Sequence, residues 1–233
     1  MEFDRFTVSL LVLRPDAPDH EAAGTDALHD AHMAHLADLH DAGHLLAVGP
    51  LLGPPGRVLR GLSLYRLPPD EVLEITGQDP GVRAGRYRSE VVPWLVPTGA
   101  MTFTRTRLPR SMAEAGSGMP FDRLAVELLI PRDDAPALDA AQAVALQDAH
   151  LSHLADLHDT GDLLAAGPLR GERFNGLAVY GLEPERAREL AGRDPAVRAG
   201  KFTGEVMAWM VPGGAVAFRH TRFPRSVAEV RGG

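Results

Sequence analysis

Ala31–Leu51, AHMAHLADLHDAGHLLAVGPL, returns 118 residues later (150 − 32) as Ala149–Leu169, AHLSHLADLHDTGDLLAAGPL, with 16 of the 21 positions identical. Each copy carries three histidines: His32, His35 and His40, then His150, His153 and His158. A chain of 233 residues suits one large domain or two small ones, and a repeat at this period decides for two.

Upstream of the first copy, Phe6 to Leu13 is β-branched and apolar and reads as a buried strand. A loop follows from Pro15 to Gly24, and a helix runs from an N-cap at Thr25 or Asp26 to His40. Leu28, His32, Leu36 and Leu39 share one stripe of that helix. Gly43 is placed to end it. His44 to Val48 reads as a short strand stopped by Gly49-Pro50, and Leu59 to Leu67 alternates as a third strand. A helix over Glu71 to Thr76, a helical turn from Asp79-Pro80 to Ala84, and strands over Tyr87 to Val96 and Met101 to Arg107 complete the unit. The order β-α-β-β-α-β is the split-βαβ, ferredoxin-like pattern.

Ser111 to Pro120, SMAEAGSGMP, has linker composition. The second unit then repeats the order from Leu124 to Arg222. After its second strand the offset falls to 115 (194 − 79), so it lacks three residues where the first unit has LGPPGRVLRG and the second RGERFNG. The expected organisation is a first unit over 1–110, a linker over 111–120 and a second unit over 121–233. The fold class is α+β.

Composition narrows the function. The net charge of −7 comes without a basic stripe, which argues against a general nucleic-acid binder. With no cysteine, disulfides and thiolate metal sites are excluded. No apolar run approaches the ~20 residues that span a bilayer, and the N-terminus lacks the pattern of a signal peptide. The expected location is cytoplasmic. No phosphate-binding loop, dinucleotide glycine fingerprint or nucleophile elbow is present.

The histidines carry what chemistry the sequence offers. His32 and His150 sit among leucines on their helices, where a half-buried imidazole serves either as a general acid or base or as a core-edge residue held by a hydrogen bond. Asp79 and Asp194 recur in QDPGVRAG and RDPAVRAG. Each reads as an N-cap before a proline, as a carboxylate orienting an imidazole, or as both. Arg83 and Arg198 follow four residues on and are candidates to receive an anionic substrate, or else sit in solvent. His35 and His153, three residues after the first histidines, are further substrate-binding candidates. His32 with His35 lacks the further ligands that zinc prefers, so no metal site is expected. His40 and His158 lie in the last helical turn and read as structural. Ser63 is a candidate hydroxyl partner, but Ala178 stands in its place in the second unit. Gly49-Pro50 and Gly167-Pro168 read as strand ends at which a ligand could approach the backbone.

Each unit resembles the YciI-like (YCII-related) domain of the dimeric α/β-barrel superfamily. The matching elements are Ala31-His32-Met33 and Ala149-His150-Leu151, the H-D-x-G box at His40 to Gly43 and His158 to Gly161, the L-L-A-x-G-P strand end at Leu45 to Pro50 and Leu163 to Pro168, and the D-P-x-V-x-A-G box at Asp79 to Gly85 and Asp194 to Gly200. The resemblance implies ferredoxin-like units whose sheets pair face to face. It also implies a site between helix and sheet, centred here on His32 with Asp79 and His150 with Asp194. Relatives in that superfamily include lactone isomerases, and a dehydrochlorinase resembles the YciI-like branch.

The resulting expectation is an intramolecular pseudo-dimer of two such units, with a further homodimer left open. The expected activity is a cofactor-independent lyase or isomerase moving a proton on a small cyclic or aromatic molecule. The alternative is a non-catalytic small-molecule binding or accessory protein, and a metal-dependent enzyme would need a third ligand near His32 and His35. The two pockets are expected to differ, the first unit's longer loop favouring it.

Overall fold

Phe3–Leu13 forms β1, the long central strand of the first half. The computed structural model describes residues 1–18 and 22–232, so the loop expected over Pro15 to Gly24 lies in part outside the described residues. Helix α1, Ala22–Asp41, starts ahead of the expected cap at Thr25 or Asp26. Its end is a Schellman turn: Gly43 sits at φ +81°, Gly43 N–H donates to the His40 carbonyl and His44 N–H to that of Leu39.

Strand β2, Leu45–Leu52, does not stop at Gly49-Pro50. It continues because a strand from the far half of the chain pairs with its last residues. The half is completed by β3 (Leu59–Tyr65), α2 (Pro69–Thr76), α3 (Pro80–Arg83), β4 (Tyr87–Pro97) and β5 (Met101–Phe103). The stretch expected as a linker is partly folded. Met112–Ala115 forms a helical turn, α4, capped by Ser111 and anchored on helix α1 by a bond from Met112 N–H to Asp30. The second half runs β6 (Phe121–Pro131), α5 (Ala140–Asp159), β7 (Leu163–Pro168), β8 (Gly176–Tyr180), α6 (Pro184–Ala191), α7 (Pro195–Arg198), β9 (Phe202–Pro212), β10 (Val216–Phe218) and α8 (Val227–Arg231). Strands β5 and β10 do not extend the main sheet; they pair with each other, Val216 opposite Phe103.

The eight long strands form one antiparallel sheet in the order β4-β1-β3-β2-β9-β6-β8-β7. It curls until its two edges meet: Trp94 of β4 bridges Leu169, and Arg170 N–H donates to the Pro93 carbonyl. The result is a nearly closed α+β barrel. At the other junction Leu51 pairs with Trp209. A Cβ on Gly49 would land on the carbonyl oxygen of Met210, and one on Gly167 on that of Leu95. The Gly-Pro steps therefore admit the backbone of the opposite half, not a ligand. Both indoles lie fully buried at these junctions, Trp94 donating to the Gly167 carbonyl at 3.2 Å and Trp209 to that of Leu62 at 3.2 Å.

The inward positions of all eight strands pack one apolar interior, with Phe6, Val8, Leu10, Val126, Leu128 and both tryptophans among its members. Residues of opposite parity face the helices outside. The two outer layers differ. That of the second half is packed by Leu154, Leu157, Tyr180, Ala187, Leu190 and their neighbours. That of the first has a smaller buried set, Ala37, Leu45, Tyr65, Val72 and Leu108. The difference leaves space beneath helix α1. Among the described residues no helix is long and apolar enough to cross a membrane.

Candidate active site

Helix α3 is four residues long, and its N-cap does two jobs. Asp79 Oδ1 accepts from the Gly81 N–H at 2.7 Å, the ordinary capping bond. Its other oxygen, Oδ2, stands 2.5 Å from His32 Nδ1 on helix α1. The capping bond fixes the carboxylate, and the carboxylate fixes the ring. As acceptor, Asp79 places a hydrogen on Nδ1, so that in the neutral ring Nε2 carries the lone pair. Among the described residues Nε2 has no hydrogen-bond partner. The second half repeats the geometry: Asp194 Oδ1 accepts from Ala196 N–H at 2.7 Å, and Oδ2 stands 2.6 Å from His150 Nδ1.

The surroundings of the two pairs diverge. His32 opens onto a cavity of about 570 Å³ between helix α1 and the outer face of the first half's strands, within the usual range for small-molecule sites. Ser9, Ser63 and Ser89 lie along its strand face; Met33, His35, Leu36 and Leu39 come from the helix. Leu108, Pro109, Met112 and Ala115 form a strap over one side, held to the helix where Arg110 meets Asp38 and Asp41. Phe121, Met210 and Pro212 reach in from the second half, so this wall needs the whole barrel. Exposed Leu52 and Met112 stand among the lining residues.

In the second half the place of Ser9 is taken by Glu127 (127 − 9 = 118), of Ser63 by Ala178, and of Ser89 by Gly204 (204 − 89 = 115). Glu127 is buried, accepts from the Tyr180 hydroxyl at 2.7 Å, and lies where a Cβ on Gly204 would strike its Oε1. Its side chain thus occupies the space that the three serines leave open. Burial pushes the Glu127 carboxyl up to about 7, against a smaller opposing effect of the Tyr180 bond. The His150 side chain is 10% exposed and that of His32 18%, so the second pair is the more enclosed.

The other residues singled out from sequence fall as follows. His35 lines the cavity, and its Nε2 is buried without a partner. His153 Nε2 is likewise buried and unpartnered, and burial pulls this imidazole below its ordinary range. Arg83 and Arg198 are exposed, and Arg83 lies outside the cavity lining, so the structure does not bring them to the histidines. His40 and His158 donate from Nδ1 to the carbonyls of Leu45 and Leu163, both at 2.8 Å. His158 Nε2 also accepts from the Thr221 N–H. These two tie helix ends to strands. Among the described residues no third group joins His32 and His35 in a metal-holding cluster.

The cations that do line the cavity were not singled out by spacing: Arg57, Arg60 and Arg86, with His29. Arg86 Nε donates to the Tyr87 hydroxyl at 3.2 Å, which lies 3.5 Å from His29 Nε2. Burial first, then Arg86 and His32, pull the His29 imidazole down. Aligning the halves sets Asn175 against Arg60, a difference already visible in the sequence, and Lys201 against Arg86, which sequence reasoning missed.

Residues 8–95 match the YCII-related domain. No curated protein matches the chain by sequence. Among solved structures, a point variant of the chlorite dismutase of Candidatus Nitrospira defluvii superposes with a TM-score of 0.53 at 14% identity, covering 91% of this chain and 92% of that one. A second variant of that enzyme gives 0.51 at 13% identity, covering 89% and 90%. A further protein, provisionally assigned as a chlorite dismutase, gives 0.52 at 13% identity, covering 91% and 96%. At these identities the likeness is one of fold, the dimeric α+β barrel, and carries no activity across.

Proposed function

We propose that the protein is an acid–base enzyme of the lyase or isomerase type, working in the cavity beneath helix α1. The observation that carries this reading is the His32–Asp79 pair: a carboxylate fixes Nδ1, and the other ring nitrogen is left free at the edge of an apolar-lined space. In such a site Nε2 takes a proton from a carbon or hydroxyl of the ligand, Asp79 stabilises the imidazolium that forms, and the same nitrogen returns the proton to a new position. The step asks for no group beyond the imidazole and the carboxylate. Ser63 and Ser9 are the hydroxyls within the same lining that can hold a ligand oxygen.

The chain is read as two YCII-type units, about 1–110 and 121–233, forming a pseudo-dimer within one polypeptide. The strand order of each half and the matched junctions at Leu51–Trp209 and Leu169–Trp94 support it. The first unit is the working one. The second keeps the pair but fills its cavity with Glu127.

Hydrogen exchange tests the chemistry. Small lactones and cyclic ketones are incubated with the protein in D2O, and loss of the α-proton is followed by NMR. The expected result is exchange that falls by about 100-fold or more in His32→Ala and is little changed in His150→Ala. The binding-protein alternative is favoured if such molecules bind and no exchange above the buffer rate is found.

A further inference from the structure

Arg57, Arg60 and Arg86 share one cavity with a single carboxylate, Asp79, and that carboxylate is already engaged by His32 and the Gly81 N–H. Among the described residues ten of the other twenty arginines meet an acidic side chain, Arg14, Arg110, Arg123, Arg132, Arg173 and Arg225 among them, while others such as Arg83 and Arg198 lie exposed to solvent. Among the described residues none of the three cavity arginines has such a partner. Arg57 Nε uses the Leu51 carbonyl, Arg86 Nε uses the Tyr87 hydroxyl, and Arg60 Nε is buried with no partner at all. Burial, with the like charges of Arg57 and Arg86, pulls the Arg60 guanidinium below its ordinary range. In a chain of net charge −7, three half-buried guanidiniums that meet no carboxylate among the described residues form a wall suited to an entering anion.

The arginines also gather at one end. Arg60 opens β3 beside the last residues of β1, and Arg86 immediately precedes Tyr87, which pairs with Leu13 at that same end of β1. The rest of the lining is largely apolar. The second half, whose cavity Glu127 fills, has Asn175 and Lys201 at these places and the shorter loop. The cationic end and the open space therefore occur together.

We infer that the cavity takes an organic carboxylate: a compact apolar or aromatic body against Leu36, Leu39 and Val48, with its carboxylate on Arg60 and flanked by Arg57 and Arg86. This rests on the reading of the cavity as the working site, but not on proton transfer by His32. A planar guanidinium fork matches a carboxylate in two parallel hydrogen bonds, which gives orientation as well as affinity.

Calorimetric titration with benzoate, cinnamate and 4-phenylbutyrate, each against its neutral amide, and with phenyl phosphate and inorganic phosphate, tests the inference. At least one carboxylate is expected to bind about tenfold or more tighter than its amide, and Arg60→Gln and Arg86→Gln are each expected to weaken it by about tenfold. Circular dichroism of the two variants reports that they fold. Arg83→Gln, at an exposed arginine outside the cavity lining, is expected to bind within about threefold of the parent. Equal binding of acid and amide, no binding of any acid, full affinity in both folded arginine variants, or tighter binding of either phosphate would each overturn it. Carboxylate binding that depends on Arg60, without hydrogen exchange, would sink the proton-transfer reading and leave this one standing. Exchange that depends on His32, with acid and amide bound equally well, would do the reverse.

Discussion

The Tyr180 hydroxyl donates to Glu127 Oε2 at 2.7 Å, in the place where the first half of the barrel holds open space beside Ser9. The carboxyl is pushed up to about 7 from 4.5 by burial. Below the lower value it is protonated in both the folded and the unfolded chain. Between the two, the unfolded chain releases its proton and the folded one keeps it. The folded state therefore loses roughly 3 kcal/mol across that window, and the loss levels off above pH ~7. Glu127→Gln removes the effect. Urea denaturation should show its advantage over the parent growing by about 2 kcal/mol between pH 5 and pH 8, and a difference independent of pH would show that Glu127 is not protonated in the fold.

Asp79 holds both a helix start and a histidine tautomer. Asp79→Ala should lower stability by about 1–2 kcal/mol through the lost cap. It should also release the His32 ring to a mixture of tautomers, visible in nitrogen-resolved NMR of the imidazole. Asp79→Asn keeps an oxygen for the cap and should cost less. An unchanged single tautomer in the alanine variant would mean that some other group orients the ring.

Gly49 and Gly167 face backbone carbonyls across the two junctions. Alanine at either should cost about 3 kcal/mol or more, or prevent folding, because no side chain can move aside. Gly61 is the control: its added Cβ would meet the Gly49 carbonyl oxygen at 3.5 Å and Leu11 at 3.6 Å, ordinary contacts. Gly61→Ala should change stability by no more than about 1 kcal/mol. Thermal melts of the three variants decide it.

The pair Ser9→Glu with Ser89→Gly copies the second half's filling into the first. It should abolish benzoate-type binding while the barrel still melts cooperatively. Retained binding would show that the ligand does not use the space beside the serines.

The repeated histidine helix, the D-P turns and the strand order were legible because each rests on local pattern. So were His32 and Asp79 as candidates, since both recur at matching offsets. What was not legible depends on pairing at long range. Strand β2 runs on through Gly49-Pro50 because Leu51 meets Trp209, a partner 158 residues away (209 − 51) that no local signal names. Arg83 looked placed for a ligand by its distance from Asp79 in sequence, but a four-residue helix aims it at solvent. Arg60 and Arg86 reach the cavity only because β3 and β4 flank β1. Ser63 and Ala178 were noticed as a mismatch, whereas Ser9 with Glu127 and Ser89 with Gly204 become meaningful only once the strands place all three positions around one volume.

The shared barrel has a consequence for how the chain is made. Strands β2 and β4 present free edges until β9 and β7 cover them; β9 begins 150 residues after β2 ends (202 − 52) and β7 begins 66 residues after β4 ends (163 − 97). At ribosomal speeds of about 5–20 residues per second, those edges wait on the order of 3–30 s for their partners. An uncovered edge is a template for another chain. On a polysome the nearest template is the neighbouring nascent copy of the same first half, so expression yield should depend on translation rate and on holdase chaperones more than the stability of the finished barrel would suggest.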